Sequence, residues 1–220
     1  LGAFHHPALV LVDPCLLATL DPRNLSAGIA EAVKVAICGD RALFELLEAN
    51  VALVIDRDPN VLAQLVRQAA ATKVSLLAAD PLEHDLRRPL NLGHTLAHPL
   101  ETQLGYRNLL HGEAVAFGLA VATNVALRRG ICTAAAGQRI LELLHAYGLP
   151  PAVRSGDVLQ CLNHLGAIRL VRDGAMHYVM PVDIDRVCIV ADIDPAEIRD
   201  AALGVCGSAT PRVATAAHHG

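Results

Sequence analysis

Polar punctuation divides the chain into long apolar stretches whose spacing is helical over most of its length. Ala8–Val12 is the exception near the start, an aliphatic run closed by Asp13-Pro14 that reads as one short buried strand. Helical patterns then follow from Ser26, a capping residue, through Cys38, and from Asp40 to about Ile55. After the break at Asp56-Arg57-Asp58-Pro59 a long helix is expected from about Asn60 to Ala79, ended by Pro81. The charged piece from Glu83 to Pro89 reads as a loop. Helices are next expected from Asn91 to about Leu104, stopped by Gly105, from His111 to about Arg129, stopped by Gly130, and from Ala134 to Tyr147. The last third changes character. A helix over Ser155–Leu165 precedes a small hairpin, with arms Ile168–Val171 and His177–Pro181 around Arg172-Asp173-Gly174, and a final helix begins at Asp194-Pro195. The pattern predicts a mainly α domain over residues 1–206, with one short N-terminal strand and a late β-hairpin; residues 207–220 are small and polar enough to form a disordered tail.

Composition supports this picture. Of the 220 residues, 53% are hydrophobic but only 3% aromatic, so the apolar mass is Ala, Leu and Val, which suits packed helices better than a β-sandwich. A net charge of -4 with scattered Lys and Arg argues against nucleic acid as a partner. No apolar run approaches the roughly 18 residues needed to span a membrane. Cys15, Cys38, Cys132, Cys161, Cys188 and Cys206 form no C-x-x-C pair and read as free thiols of a reducing cytoplasm. The chain opens on Leu1 without a Met, in what reads as a loop, and is expected to be a fragment.

Candidate chemistry concentrates in Asn91-Leu92-Gly93-His94-Thr95-Leu96-Ala97-His98, followed by His111-Gly112-Glu113. His94 and His98 share a helical face, and His111 opens the next helix, so three imidazoles can converge on a divalent ion or a phosphate. A single His more often satisfies a hydrogen bond in a helical core. Glu31 and Lys34 sit in the apolar segment Gly28–Ala36, where buried charges need partners, although a simple i, i+3 ion pair on a solvated edge is the plainer reading. Lys73 and Arg87 can clamp an anion together; taken singly, each is an ordinary surface cation, and Glu83, Asp85 and Arg88 are ordinary solvated surface charges. The chain has no G-x-S-x-G elbow, Walker loop or G-x-G-x-x-G fingerprint, which argues against a serine hydrolase and a self-sufficient dinucleotide binder.

Taken in order, Asp13-Pro14, Gly28-x-x-Glu31-x-x-Lys34, Lys73, Arg87-x-x-x-Asn91-Leu92-Gly93-His94-Thr95 and Leu110-His111-Gly112-Glu113-Ala114-Val115 resemble the C-terminal domain of the 3-dehydroquinate synthase family of sugar-phosphate cyclases. The resemblance covers about Leu1–Pro150 and continues more weakly to about Ala202. It implies a mainly helical domain that carries the metal, partnered in the family by an N-terminal NAD-binding α/β domain that is absent from this chain. It also implies Glu31, His94 and His111 as ligands of zinc or cobalt, Lys34 beside the substrate, Lys73 and Arg87 on its carboxylate, and Asn91 and His98 on its phosphate. The implied activity is that of a carbon–oxygen lyase of the shikimate pathway and aromatic amino-acid biosynthesis. A phosphorylated sugar acid is transiently oxidised by NAD, loses phosphate, is reduced again, and closes by an intramolecular aldol step. Related cyclases are commonly homodimers, and the chain alone is expected to be inactive.

Three departures bear on the expectation. The NAD-binding half lies outside the chain. Where the family carries a further lysine pair, the stretch here is Ala167–Val171, in which Arg169 is the available cation. Ala97 and Pro99 stand where Gly and Ala are more usual, and Pro99 removes an amide donor next to His98. This last departure suits a cyclitol synthase of secondary metabolism, of the valiolone or deoxyinosose type, whereas retention of Lys73 and Arg87 suits a carboxylate substrate. A non-catalytic remnant and a metal-dependent alcohol dehydrogenase are the remaining alternatives.

Overall fold

Asp or Thr side chains cap the N-termini of four helices among the described residues of the computed structural model, which describes residues 7–78, 80, 88–105, 108–162 and 177–208. After a 3-10 turn at Pro14–Thr19 come α1 (Pro22–Gly39), α2 (Arg41–Ala49), α3 (Val51–Ile55) and α4 (Pro59–Leu77). A second 3-10 turn, Pro89–Asn91, leads to α5 (His94–Leu104), α6 (His111–Arg128), α7 (Ala134–Ala146) and α8 (residues 155–162). The hairpin β1 (Tyr178–Asp183) and β2 (Arg186–Val190) precedes α9 (Pro195–Ser208).

Helix α6 is the axis of the domain. Every position from Gly112 to Thr123 is buried, so this helix has no solvent face and must be enclosed by neighbours. Helices α1, α5, α7 and α9 and strand β1 surround it. Its partner α1 buries an unbroken run from Ala32 to Cys38. Small side chains make this possible, because Ala and Gly let helix axes approach more closely than Leu-on-Leu packing does.

The hairpin is antiparallel, pairing Tyr178 with Val190 and Met180 with Cys188. Arg41, at the start of α2, ties it down by donating to the Ile184 carbonyl at 2.8 Å and to Asp185 at 3.2 Å. No helix among the described residues is long and apolar enough to cross a membrane.

Several boundaries differ from the sequence reading. Ala8–Val12 is not a buried strand: it pairs with no edge among the described residues, and Leu9 and Leu11 are 73% and 87% exposed. Hydrophobicity gave the run strand character, but a strand is buried only where another edge accepts its hydrogen bonds. Helix α1 begins at Pro22 rather than Ser26, because the Asp21 side chain accepts from the Arg23 and Asn24 amides and proline suits the first helical turn. The helix expected through Ile55 breaks at Asn50 into α2 and α3. The described hairpin pairs Tyr178–Asp183 with Arg186–Val190, a pairing the sequence reading did not include. The expected first arm and its turn, with Arg169, and the tail beyond Ser208 lie outside the described residues.

Candidate metal centre

Glu31 from the middle of α1, His94 from the first turn of α5 and His111 from the first turn of α6 offer ligand atoms that all lie within 4.8 Å of one another. Two contacts between backbones bring these helices together. A Cβ at Gly112 would fall 1.9 Å from the Ala27 carbonyl oxygen, so the start of α6 lies against α1 at a distance only glycine permits. A Cβ at Gly118 would fall 2.0 Å from the Gly93 carbonyl oxygen, seating the turn before His94 on the same helix. Gly93 itself has φ +80°, the left-handed conformation that separates the 3-10 turn from α5. The helix expected from Asn91 therefore starts at His94, leaving Asn91 on the preceding turn.

The protonation pattern follows from the acceptors. His94 Nδ1 lies 3.2 Å from the Leu92 carbonyl, and a carbonyl only accepts, so the proton is on Nδ1 and the Nε2 lone pair is free. His111 Nδ1 lies 2.9 Å from Glu101 Oε2, which fixes the same tautomer. His111 Nε2 then stands 3.4 Å from Glu31 Oε1, and that buried oxygen has no hydrogen-bond partner. With the imidazole neutral, two lone pairs face each other across this gap, an arrangement that a cation relieves.

Electrostatics keeps Glu31 and His94 in ligating form. Burial opposes charge on Glu31, but the Lys34 ammonium, 2.8 Å from Oε2, outweighs it, and the carboxyl sits below its ordinary value. The His94 imidazole is pushed down to about 4 by burial and then by Lys34, so it is neutral near pH 7. Lys34 is only 4% exposed, and its pairing with Glu31 is a buried one rather than the solvated edge pair that spacing alone allowed.

His98 joins the cluster from an exposed position, its ring centroid 5.0 Å from that of His94 and 5.9 Å from that of His111. Helix α5 continues through Pro99, so the proline does not end it beside His98. Lys73 is exposed on α4, and no hydrogen bond or ion pair links it to the cluster among the described residues. Arg87 lies outside the described residues. Sequence reasoning missed Glu101, a buried carboxylate bonded to His111. The signal was available, because His94, His98 and Glu101 stand at i, i+4 and i+7 along one face of α5. His98, Glu101 and His111 form a second grouping of ligand atoms within the same limit. The unpartnered Glu31 oxygen favours the first.

Residues 28–167 match the family described as 3-dehydroquinate synthase C-terminal. The chain belongs to the 3-dehydroquinate synthase family. Within that family it is 41% identical over 200 residues to a 3-dehydroquinate synthase of a Synechococcus species, covering 90% of this chain and 54% of the relative. It is 40% identical over 209 residues to a 2-epi-valiolone synthase of Actinosynnema mirum, covering 91% and 53%. The chain spans about half the length of these curated relatives. Among solved structures it matches the 2-epi-5-epi-valiolone synthase of Streptomyces hygroscopicus, which has NAD+ and Zn2+ bound, with a TM-score of 0.83, 34% identity, and coverage of 94% of this chain and 58% of that one. A 2-deoxy-scyllo-inosose synthase complexed with carbaglucose-6-phosphate, NAD+ and Co2+ shares the fold, with a TM-score of 0.72 at 21% identity over 86% of this chain and 55% of that one. The mainly helical family domain expected from the motifs is thus the domain observed.

Proposed function

We propose that this chain is the metal- and substrate-binding half of a sugar-phosphate cyclase that eliminates phosphate from a heptulosonate phosphate and closes the ring by an intramolecular aldol step. The observation that carries the proposal is the unpartnered Glu31 oxygen facing His111 Nε2, with His94 completing three donors around one point. Glu31, His94 and His111 would hold a zinc or cobalt ion, three protein ligands that leave a position for a substrate oxygen. When bound, such an ion supplies Lewis-acid stabilisation to that oxygen, and NAD, held mostly by the partnering α/β domain, supplies hydride acceptance and return.

The chain's own residues bind and orient. Lys34 fixes the Glu31 carboxylate from the buried side, leaving its other oxygen toward the cluster. His98, exposed at the rim, and Asn91, on the turn before Gly93, would receive the substrate phosphate. Lys73 and Arg87 would pair with the substrate carboxylate, and their presence is the reason to favour a sugar acid. Likeness to valiolone synthases, together with Pro99 beside His98, supports a second reading, a cyclitol synthase acting on a sugar phosphate without a carboxylate.

Phosphate release measured on the natural full-length protein with NAD and zinc decides between them. The heptulosonate phosphate precursor of dehydroquinate is expected to turn over in preference to sedoheptulose 7-phosphate. The reverse preference establishes the second reading, and no release from either removes the cyclase assignment.

A further inference from the structure

We infer that Glu101 is the positioning residue of the metal centre: by accepting the Nδ1 proton of His111 it fixes that ring's tautomer and rotation so that Nε2 faces Glu31 and His94. The inference rests on the metal-site reading above and assigns a role to a residue which that reading leaves idle.

Three observations converge on it. Glu101 is only 4% exposed, and a carboxylate is kept in such a place when something holds it there. It bonds to His111 Nδ1 at 2.9 Å, with the other nitrogen of the same imidazole turned toward the Glu31 oxygen that lacks a hydrogen bond. His94 repeats the arrangement with a different acceptor, its Nδ1 held by the Leu92 carbonyl. Both imidazoles thus have Nδ1 anchored outside the cluster and Nε2 presented to it, the pattern by which outer partners orient metal-ligating histidines.

The two anchors differ in how much help they need to give. His94 also opens its helix but is half-buried, so its neighbours limit the ring. His111 is the first residue of α6, with a side chain 46% exposed, so packing alone does not select its rotamer. A buried, charged acceptor supplies that selection, and a charge-assisted bond is roughly twice as strong as a neutral one. Position along α5 explains why Glu101 can reach: it lies two turns from His94 on the same face, over the start of α6.

The test compares zinc affinity, by chelator competition, and the visible spectrum of the cobalt-loaded natural protein in Glu101→Leu and Glu101→Gln, with circular dichroism confirming that both fold. Glu101→Leu should weaken zinc binding by about 10- to 100-fold and shift the cobalt spectrum. Glu101→Gln, nearly the same shape, keeps an oxygen that accepts the Nδ1 proton and should stay within about fivefold of the native affinity, the worth of a typical net hydrogen bond. Native affinity and spectrum in Glu101→Leu overturn the inference. An equal loss in both variants also overturns it, because it makes the carboxylate a direct ligand, as the His98–Glu101–His111 grouping would allow. His94→Ala separates the two levels: if it binds zinc like the native protein, the underlying site is wrong, whereas a loss there with an unaffected Glu101→Leu rejects only the positioning role.

Discussion

Glu113 and Glu31 are both acidic residues at the junction of α1 and α6, and their surroundings are opposite. Glu113 is fully engaged: Arg23 donates to it through Nε and Nη2, each at 2.6 Å, and the Leu110 amide donates at 2.9 Å. It joins the first turn of α1 to the first turn of α6, and Arg23 also reaches the Asn108 carbonyl. Glu31, two turns further along α1, has one oxygen held by Lys34 and the other without a hydrogen bond. A satisfied buried carboxylate clamps two helices together, whereas an unsatisfied one beside two imidazoles is where the proposed cation would sit. The difference shows which end of the junction is architecture and which is chemistry.

Substituting each carboxylate by its amide should break that contrast in different ways. Glu31→Gln should lower zinc affinity about a thousandfold, or ~4 kcal/mol, the share of one ligand in a typical zinc site. Its melting temperature without metal should fall as well, because an amide leaves the buried Lys34 ammonium without a counter-charge; titration with and without chelator reads both quantities. Glu113→Gln should instead cost about 2 kcal/mol of stability in denaturant unfolding, the worth of hydrogen bonds to a charged group, and leave zinc affinity of the folded protein near native. If Glu113→Gln loses zinc without losing stability, the division between architecture and chemistry fails.

The closeness of the two helices can be tested directly. Gly112→Val places a branched side chain where the Ala27 carbonyl already sits, and should cost about 3 kcal/mol or more, because backbone cannot step aside as a side chain can. Thermal unfolding measures this, and a loss below about 1 kcal/mol would mean that the approach of α1 and α6 is looser than described.

A third carboxylate, near the surface, sets the lower bound of the comparison. Arg129 grips Glu197 with bonds of 2.8 and 2.6 Å, and its hydrogen bonds bring the carboxyl down to about 2 from an ordinary 4.5. Because the folded value lies below the unfolded one, this pair stabilises fully above pH 4.5, and its contribution is lost as pH falls toward 2. Glu197 is 36% exposed, so solvent screening limits the effect to less than about 1 kcal/mol. Acid titration of Glu197→Gln should be flatter over that window than that of the native protein; coincident curves would remove the pair's contribution.

Much of the helical order was legible because its causes are local. Pro22 and Pro59 sit behind capping aspartates, and Gly105 and Gly130 follow helix ends with positive φ. What spacing misjudged was set at a distance: Ala8–Val12 has strand chemistry and no partner edge among the described residues. The candidate site was legible at Glu31, His94, His98 and His111 through the motifs that hold them. Glu101 stood at the right spacing but was passed over, because an acidic residue on a helix reads as solvated until its burial is known.

By itself, then, the sequence determined the helical periodicity, the family motifs and the donors available, all properties of residues within a few turns of one another. Only the tertiary structure decided how those donors divide. At three and four residues' spacing, Glu31–Lys34 and His94–His98 look like equivalent local pairs. Their fates separate when Gly112 and Gly118 bring α6 onto Ala27 and Gly93, burying Lys34, leaving one Glu31 oxygen without a partner and turning Glu101 toward His111. The reason is physical: helix formation is governed by neighbours along the chain, whereas burial, and the partner each buried charge must find, are governed by what packs across it.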